Sequence, residues 1–223
     1  MDIKTNFDKV IENLPKTVEL VAVSKTKPNE LIMQAYNLGY RVFGENKAQE
    51  LKRKYEELPK DIIWHMIGHL QTNKVKYIAP FVKLIHAVDS FKLLKTINKE
   101  AVKNKRVINY LFQLHVAEEQ TKFGLTCNEI ETIINSDEFL TLKNVNLVGL
   151  MAMATNSTNE KLISNEFDDV KNCFNMLKNN FFKEKSDFKV LSTGMSQDYQ
   201  IAIKAGSTMV RLGSTLFGPR NIV

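Results

Sequence analysis

A lysine that closes an apolar, β-branched run is the first residue of this sequence with chemistry to offer. Lys25 ends VELVAVSK (18–25). Burying its ammonium is costly, and apolar walls or a second cation lower its pKa toward that of a nucleophilic amine able to form an imine with an aldehyde. The alternative is a strand-end lysine turned outward to solvent. Lys27 is the rival amine, held less firmly because it lies beyond the run and next to Pro28. Toward the other end of the chain, STGMS (192–196) and RLGSTLFG (211–218) carry Gly194, Ser196, Gly213 and Ser214, with Ser207 between them. Glycine lets backbone N–H groups approach a ligand and hydroxyls can donate, a combination suited to a phosphate. The plainer alternative is two turns that join strands to helices. Arg211, inside TMVRLG, cannot shed its charge and needs an acceptor if buried. A ring nitrogen or a carboxylate would serve, and Glu45 and Asp89 are the candidate salt-bridge partners.

The elements that must position these residues alternate along the chain. Short β-branched runs fall at 18–25, 41–45, 62–68, 84–90, 108–117, 147–155, 188–196 and 208–218, with segments of helical period between them. That alternation predicts a parallel sheet with crossover helices, and eight runs predict a closed (β/α)8 barrel, preceded by one extra helix in MDIKTNFDKVIENL. An open doubly wound sheet is the other candidate, but SKTKP follows the first run where a GxGxxG loop would be expected. No linker or low-complexity tract divides the chain, so residues 1–223 are expected to form one domain. Barrels place active sites at the C-terminal ends of their strands. Those ends carry Lys25, Glu45 with Asn46, His65 to Gly68, Asp89, His115, Met151 with Met153, Ser196, and Arg211 with Gly213 and Ser214. For His65 a hydrogen-bonded core role competes with a site role, for Met151 and Met153 simple packing does, and Asn46 can serve as an N-cap.

The composition narrows the class. Hydrophobic residues make up 43% and charged residues 25% of the 223, as in ordinary globular chains. A net charge of +6 suits an anionic ligand such as a phosphate ester, or nucleic acid. The lysines of segments 47–54 and 92–105 are interleaved with acids and read as solvated helix faces, with no aromatic-plus-basic motif for RNA. Cys127 and Cys173 lack metal-binding spacing and read as separate small apolar residues. No metal site is expected. Neither a leader peptide nor an apolar run near the roughly 18 residues that span a bilayer is evident, so a reducing cytosol and no membrane are expected.

VAVSKTKP, FGEN, WHMIGHLQTNK, the KFG of residues 122–124, GLMAM and STGMSQDYQIAIKAGSTMVRLGSTLFG together resemble, in order and spacing, the pyridoxal phosphate homeostasis protein family. The resemblance runs from about residue 18 to 218. It implies a fold similar to the N-terminal barrel of alanine racemase and pyridoxal 5′-phosphate (PLP) as cofactor. By the same resemblance Lys25 is the imine lysine, Ser196, Gly213 and Ser214 meet the phosphate, Arg211 faces the pyridine nitrogen, and Asn46, His65 and Met151 line the ring. Many members carry Thr where this chain has Ser214, which keeps the hydroxyl. The fifth run, LFQLHVAEEQ, departs from the Asn-containing form of many relatives, which leaves His115 without support from the resemblance.

The expected function is a PLP carrier or reservoir in vitamin B6 homeostasis, a monomer whose partners are PLP and PLP-dependent apo-enzymes, with no catalytic residue assigned. A permanent cation at the ring nitrogen disfavours carbanion chemistry, for which PLP enzymes place a carboxylate there. Alanine racemases also take a second base from a further domain, whereas this sequence stops at Val223, just after the eighth run. The alternatives are an amino-acid racemase or decarboxylase of limited scope, and an RNA-binding barrel.

Overall fold

In a computed structural model, which describes residues 2–118 and 123–219, the eight expected runs pair edge to edge in sequence order and close on themselves. Every neighbouring pair is parallel. The strands are β1 (Glu19–Val23), β2 (Val42–Glu45), β3 (Ile63–Met66), β4 (Leu84–Val88), β5 (Ile108–Leu114), β6 (Val145–Ala152), β7 (Val190–Met195) and β8 (Met209–Leu212). The N-terminal helix is α1 (Ile3–Asn13). Around the barrel run α2 (Asn29–Asn37), α3 (Ala48–Glu57), α4 (Val75–Ile78), α5 (Phe91–Lys103), α6 (Cys127–Ile134), α7 (Asp137–Leu140), α8 (Glu160–Phe181) and α9 (Tyr199–Lys204), and α10 (Ser214–Phe217) follows β8.

Two apolar layers hold this arrangement. Val21, Leu84, Ala87, Leu111, Val148, Met151 and Met209 fill the inside of the barrel. A larger layer, including Ile32, Leu51, Trp64, Leu94, Phe112 and Phe188, seals the sheet against the helices. Such strands, covered on both faces, lose the polar alternation of a half-exposed sheet. Where β5 and β6 slip register, Gly149 has φ +154°, and a Cβ there would lie 1.7 Å from the Val190 carbonyl oxygen. The bulge therefore requires glycine.

The eighth run is shorter than its sequence suggests. β8 stops at Leu212, and Leu216 and Phe217 both donate backbone N–H bonds to the Gly213 carbonyl, which starts α10. The turn is fixed from outside by α1, capped by the Asp2 carboxylate. Asn6 Nδ2 donates to the Leu216 carbonyl at 3.0 Å, and the Phe7 and Phe217 rings meet edge to face at 5.7 Å.

Lys54 departs from the expectation of a solvated helix face. It is fully buried, with Nζ 2.8 Å from each of the Ser24 carbonyl, Glu45 Oε1 and Glu50 Oε1. Ser24 Oγ donates to the same Glu45 oxygen at 2.6 Å, and Thr26, at φ +64°, donates its backbone N–H to Glu50 Oε1 at 2.8 Å. One ammonium thus pins the residues on both sides of Lys25. The cysteines also correct their reading as separate apolar residues. α6 and α8 bring Cys127 and Cys173, 46 apart in sequence, to a Cα separation of 6.0 Å, where they form a disulfide.

Closing a loop of that length restricts the unfolded chain by up to about 4 kcal/mol in the chain-entropy model. Cys127→Ser should lower the urea midpoint by a corresponding amount relative to the oxidised wild type, and reductant should remove the difference. Glu45 gives a pH-dependent expectation. Burial outweighs Lys54 and Ser24 and raises its pKa from 4.5 to about 7, so between those values the folded protein keeps a proton that the unfolded chain has lost. Stability from this group is full below the unfolded value and is lost as pH rises through the folded one. Unfolding at about pH 5 and about pH 8 should show that decline in the wild type and less of it in Glu45→Gln. Lys54→Met, which removes the ammonium shared by Ser24, Glu45 and Glu50, should lower the unfolding midpoint and push the Glu45 pKa further up.

Candidate functional site

The C-terminal ends of the strands surround a cavity of about 510 Å³, within the range of small-molecule sites. Lys25, Asn46, Ser196, Arg211, Gly213 and Ser214 all line it. His65 and Met151 are not among these lining residues. Both lie deeper, within the closed barrel. Met151 packs among the interior apolar residues, and Met153, two residues nearer the strand end, takes the lining position.

Each lining residue is placed by its local backbone. Lys25 follows β1 in the segment held by Lys54 and Glu50. Lys27, the rival amine, spends its Nζ on the carbonyls of Phe217, Gly218 and Pro219, at 2.8–3.1 Å. Its ammonium therefore fastens the chain end beyond α10. Asn46 follows β2, and its buried Oδ1 has no hydrogen-bond partner. After β7, whose Gly194 sits at φ +88°, Ser196 Oγ accepts the backbone N–H groups of Gly213 at 3.2 Å and Thr215 at 3.3 Å. Donors from the turn after β8 thus converge on a hydroxyl from the loop after β7. Ser207 is not part of that cradle. It is buried, and its Oγ lies within bonding reach of the Leu191, Thr193 and Met209 carbonyls.

Arg211 is only 4% exposed, and the alternative of a salt bridge to Glu45 or Asp89 is not the one it takes. Glu45 is engaged by Lys54 and Ser24, and Asp89 Oδ2 is bonded to His69 Nδ1 at 2.7 Å. The guanidinium instead donates Nη1 to the Ser192 carbonyl at 2.6 Å and to Ser192 Oγ at 2.7 Å, and Nη2 to the Ala152 carbonyl at 3.0 Å. Burial lowers its pKa to about 10, with Asp198 acting the other way, so it stays charged near neutral pH. A full positive charge held by neutral oxygens at a cavity wall favours an electron-rich ligand atom.

Below it, the polar contacts continue. Ser192 Oγ lies 3.1 Å from His86 Nδ1, and His86 Nε2 lies 3.1 Å from His65 Nδ1. Burial keeps both imidazoles neutral. It lowers His65 to about 3, with the Lys83 charge adding to the effect, and puts His86 well below the usual range, with His65 and Arg211 adding to it. The core role weighed for His65 is thus the one its position permits.

Several lining residues were not singled out from sequence. Gln113 is on β5, two positions after Leu111 of the barrel interior, and its Nε2 donates to the Phe123 carbonyl at 2.6 Å. The two-residue period of an inward strand face is the signal that finds it. His69, bonded to Asp89, lies flat against Phe123 with ring centroids 4.0 Å apart at the rim. His115 is not among the lining residues. Lys122, the first residue of the KFG string, lies outside the described residues.

Comparisons with known proteins agree with this fold. Residues 2–221 match the family described as alanine racemase, N-terminal domain. The chain is 37% identical to the pyridoxal phosphate homeostasis protein of Aquifex aeolicus over 99% of both chains. It is also 37% identical to that of Haemophilus influenzae, over 92% of this chain and 86% of the relative. PipY of Synechococcus elongatus, solved without PLP and with PLP bound, superposes with TM-scores of 0.90 and 0.88 at 30% identity, over 97% of this chain and 100% of that one. With the fold and almost the full length of its relatives shared, the chain belongs to the pyridoxal phosphate homeostasis proteins, within the wider alanine racemase N-terminal domain family.

Proposed function

We propose that this chain binds PLP in the cavity at the strand ends and acts as a carrier or reservoir in vitamin B6 homeostasis. The observation that carries the reading is that Lys25, the Ser196–Gly213–Ser214 cradle and the charged Arg211 line one cavity. An aldehyde needs an amine, a phosphate needs clustered donors, and a pyridine nitrogen is an acceptor for a guanidinium. The buried, unpartnered Asn46 Oδ1 adds an acceptor on the same wall, suited to a ligand hydroxyl. PLP bound in PipY supports the assignment. When bound, PLP supplies an aldehyde for condensation with an amine and an electron-withdrawing ring.

Lys25 Nζ would join the aldehyde carbon as an imine, with loss of one water. Ser196, Ser214 and the Gly213 N–H would hold the phosphate, and Arg211 would face the ring nitrogen. A cation that remains charged there opposes protonation of the ring, which argues for binding rather than turnover at Cα. We place the protein in the cytosol, as a one-domain monomer that passes PLP to apo-enzymes. In that reducing compartment the Cys127–Cys173 pair would rest as two thiols.

The protein incubated with PLP and treated with borohydride should carry a pyridoxyl group on the peptide containing Lys25. Labelling of Lys27 instead would overturn the lysine assignment. Rapid α-proton exchange of alanine in deuterated water, lost in Lys25→Ala, would turn the reading toward a racemase. The phosphate cradle has a separate expectation. Ser196→Ala and Ser214→Ala should each weaken PLP retention by about 1.5–3 kcal/mol, the worth of a hydrogen bond to a charged group. Pyridoxal, which lacks the phosphate, should bind all forms poorly. Equal affinity for pyridoxal and PLP would show that the cradle holds something else.

A further inference from the structure

Four buried polar side chains cross the inside of the barrel from β8 through β7 and β4 to β3: Arg211, Ser192, His86 and His65. Only the first lines the cavity. The direction of each hydrogen bond follows from chemistry. Arginine can only donate, so Ser192 Oγ accepts from Arg211 Nη1. The Ser192 proton then needs an acceptor, and His86 Nδ1 is the other group bonded to that oxygen. The reverse arrangement, with His86 donating from Nδ1, would leave the buried hydroxyl proton without a partner, a cost of about 1–3 kcal/mol. A neutral His86 that accepts at Nδ1 carries its proton on Nε2 and donates it to His65 Nδ1, so His65 is also the Nε2–H tautomer.

We infer that Ser192, His86 and His65 form a one-way hydrogen-bond chain that positions Arg211, fixing the plane in which the guanidinium presents its remaining donors to the cavity. The inference rests on the PLP reading for what Arg211 faces, but not for the chain itself. The backbone carbonyls of Ser192 and Ala152 hold one side of the guanidinium, and Ser192 Oγ is the side-chain oxygen bonded to it. That oxygen stays in place because His86 takes its proton. The ligand atom opposite must therefore be an acceptor, as an unprotonated aromatic nitrogen is. All three are positioning residues, because they act through Arg211.

The test begins on the protein without PLP. Nitrogen NMR of labelled histidines should find His86 and His65 neutral with the proton on Nε2. The Arg211 guanidinium protons should exchange slowly with water in the wild type and fast in Ser192→Ala and His86→Leu. His86→Gln, whose amide offers one acceptor and one donor, should restore slow exchange. With PLP bound, Ser192→Ala should shift the visible band and weaken binding about tenfold, as expected for one lost hydrogen bond to a charged group. His86 protonated on Nδ1, or Arg211 protons equally protected in folded Ser192→Ala and His86→Leu, would overturn the inference. The wild-type tautomer decides the chain's direction even if a variant fails to fold. If the wild type bound no PLP while the tautomers and protection were as expected, the cofactor reading would fall and the chain would stand.

Discussion

A guanidinium buried inside a closed barrel constrains most of the other polar choices around it. Arg211 stays charged, so its surroundings can satisfy it with a carboxylate or with neutral oxygens held in place. Here they are neutral: two strand carbonyls and one hydroxyl. A carboxylate bonded directly to the guanidinium would have taken up donors that here go to neutral oxygens. Neutral acceptors orient the cation while leaving its field to act on the cavity. The hydroxyl requires an acceptor of its own, and that acceptor a further one, which accounts for two neutral histidines beside the apolar Val, Leu, Ala and Met of the barrel interior.

The adjacent strand, β1, uses a different solution. Around Lys25 the backbone is tied by a buried ammonium, Lys54, shared among two carboxylates and a carbonyl. Removing one partner of such a cluster strands the others, so the cluster is costly to alter once present. What it gains is geometric: the bend from Ser24 to Thr26, including a left-handed Thr26, is held from behind by α3. The turn after β8, whose N–H groups meet Ser196, is held in the same manner by α1, a helix outside the repeating β/α pattern, through Asn6 and Phe7. The lysine and the Ser196–Gly213 turn each sit on loops beyond strand ends, and each is fastened by a helix, α3 or α1, that does not itself line the cavity.

The sequence made some of this legible and not the rest, for identifiable reasons. Eight β-branched runs separated by helical periods specify the barrel, because strands covered on both faces must be apolar over their length. Strand ends then locate Lys25, Asn46, Ser196 and Arg211. The eighth run misleads because TLF is as apolar in a short helix as in a strand, and only the turn at Gly213 separates the two. Lys54 resembles its exposed neighbours in type and spacing, and its burial depends on where Glu45 and Glu50 end up in space. His86 lies in LIHAV, which alone cannot show that Ser192 will stand opposite. The disulfide likewise depends on α6 and α8 becoming neighbours, a property of barrel order rather than of the segments around either cysteine.

His65 shows how depth along a strand decides function. It faces the barrel interior, as a ring-lining residue must, yet it lies below the cavity. Side chains of a parallel barrel stack in layers, so two residues along a strand separate a group that touches a ligand from one that touches the groups touching it. Met151 and Met153 differ by that same step, and Met153 is the one at the cavity. Correct facing therefore does not place a residue at the site. A polar group one layer too deep must be satisfied within the protein, and the chain from Arg211 to His65 is the form that satisfaction takes here.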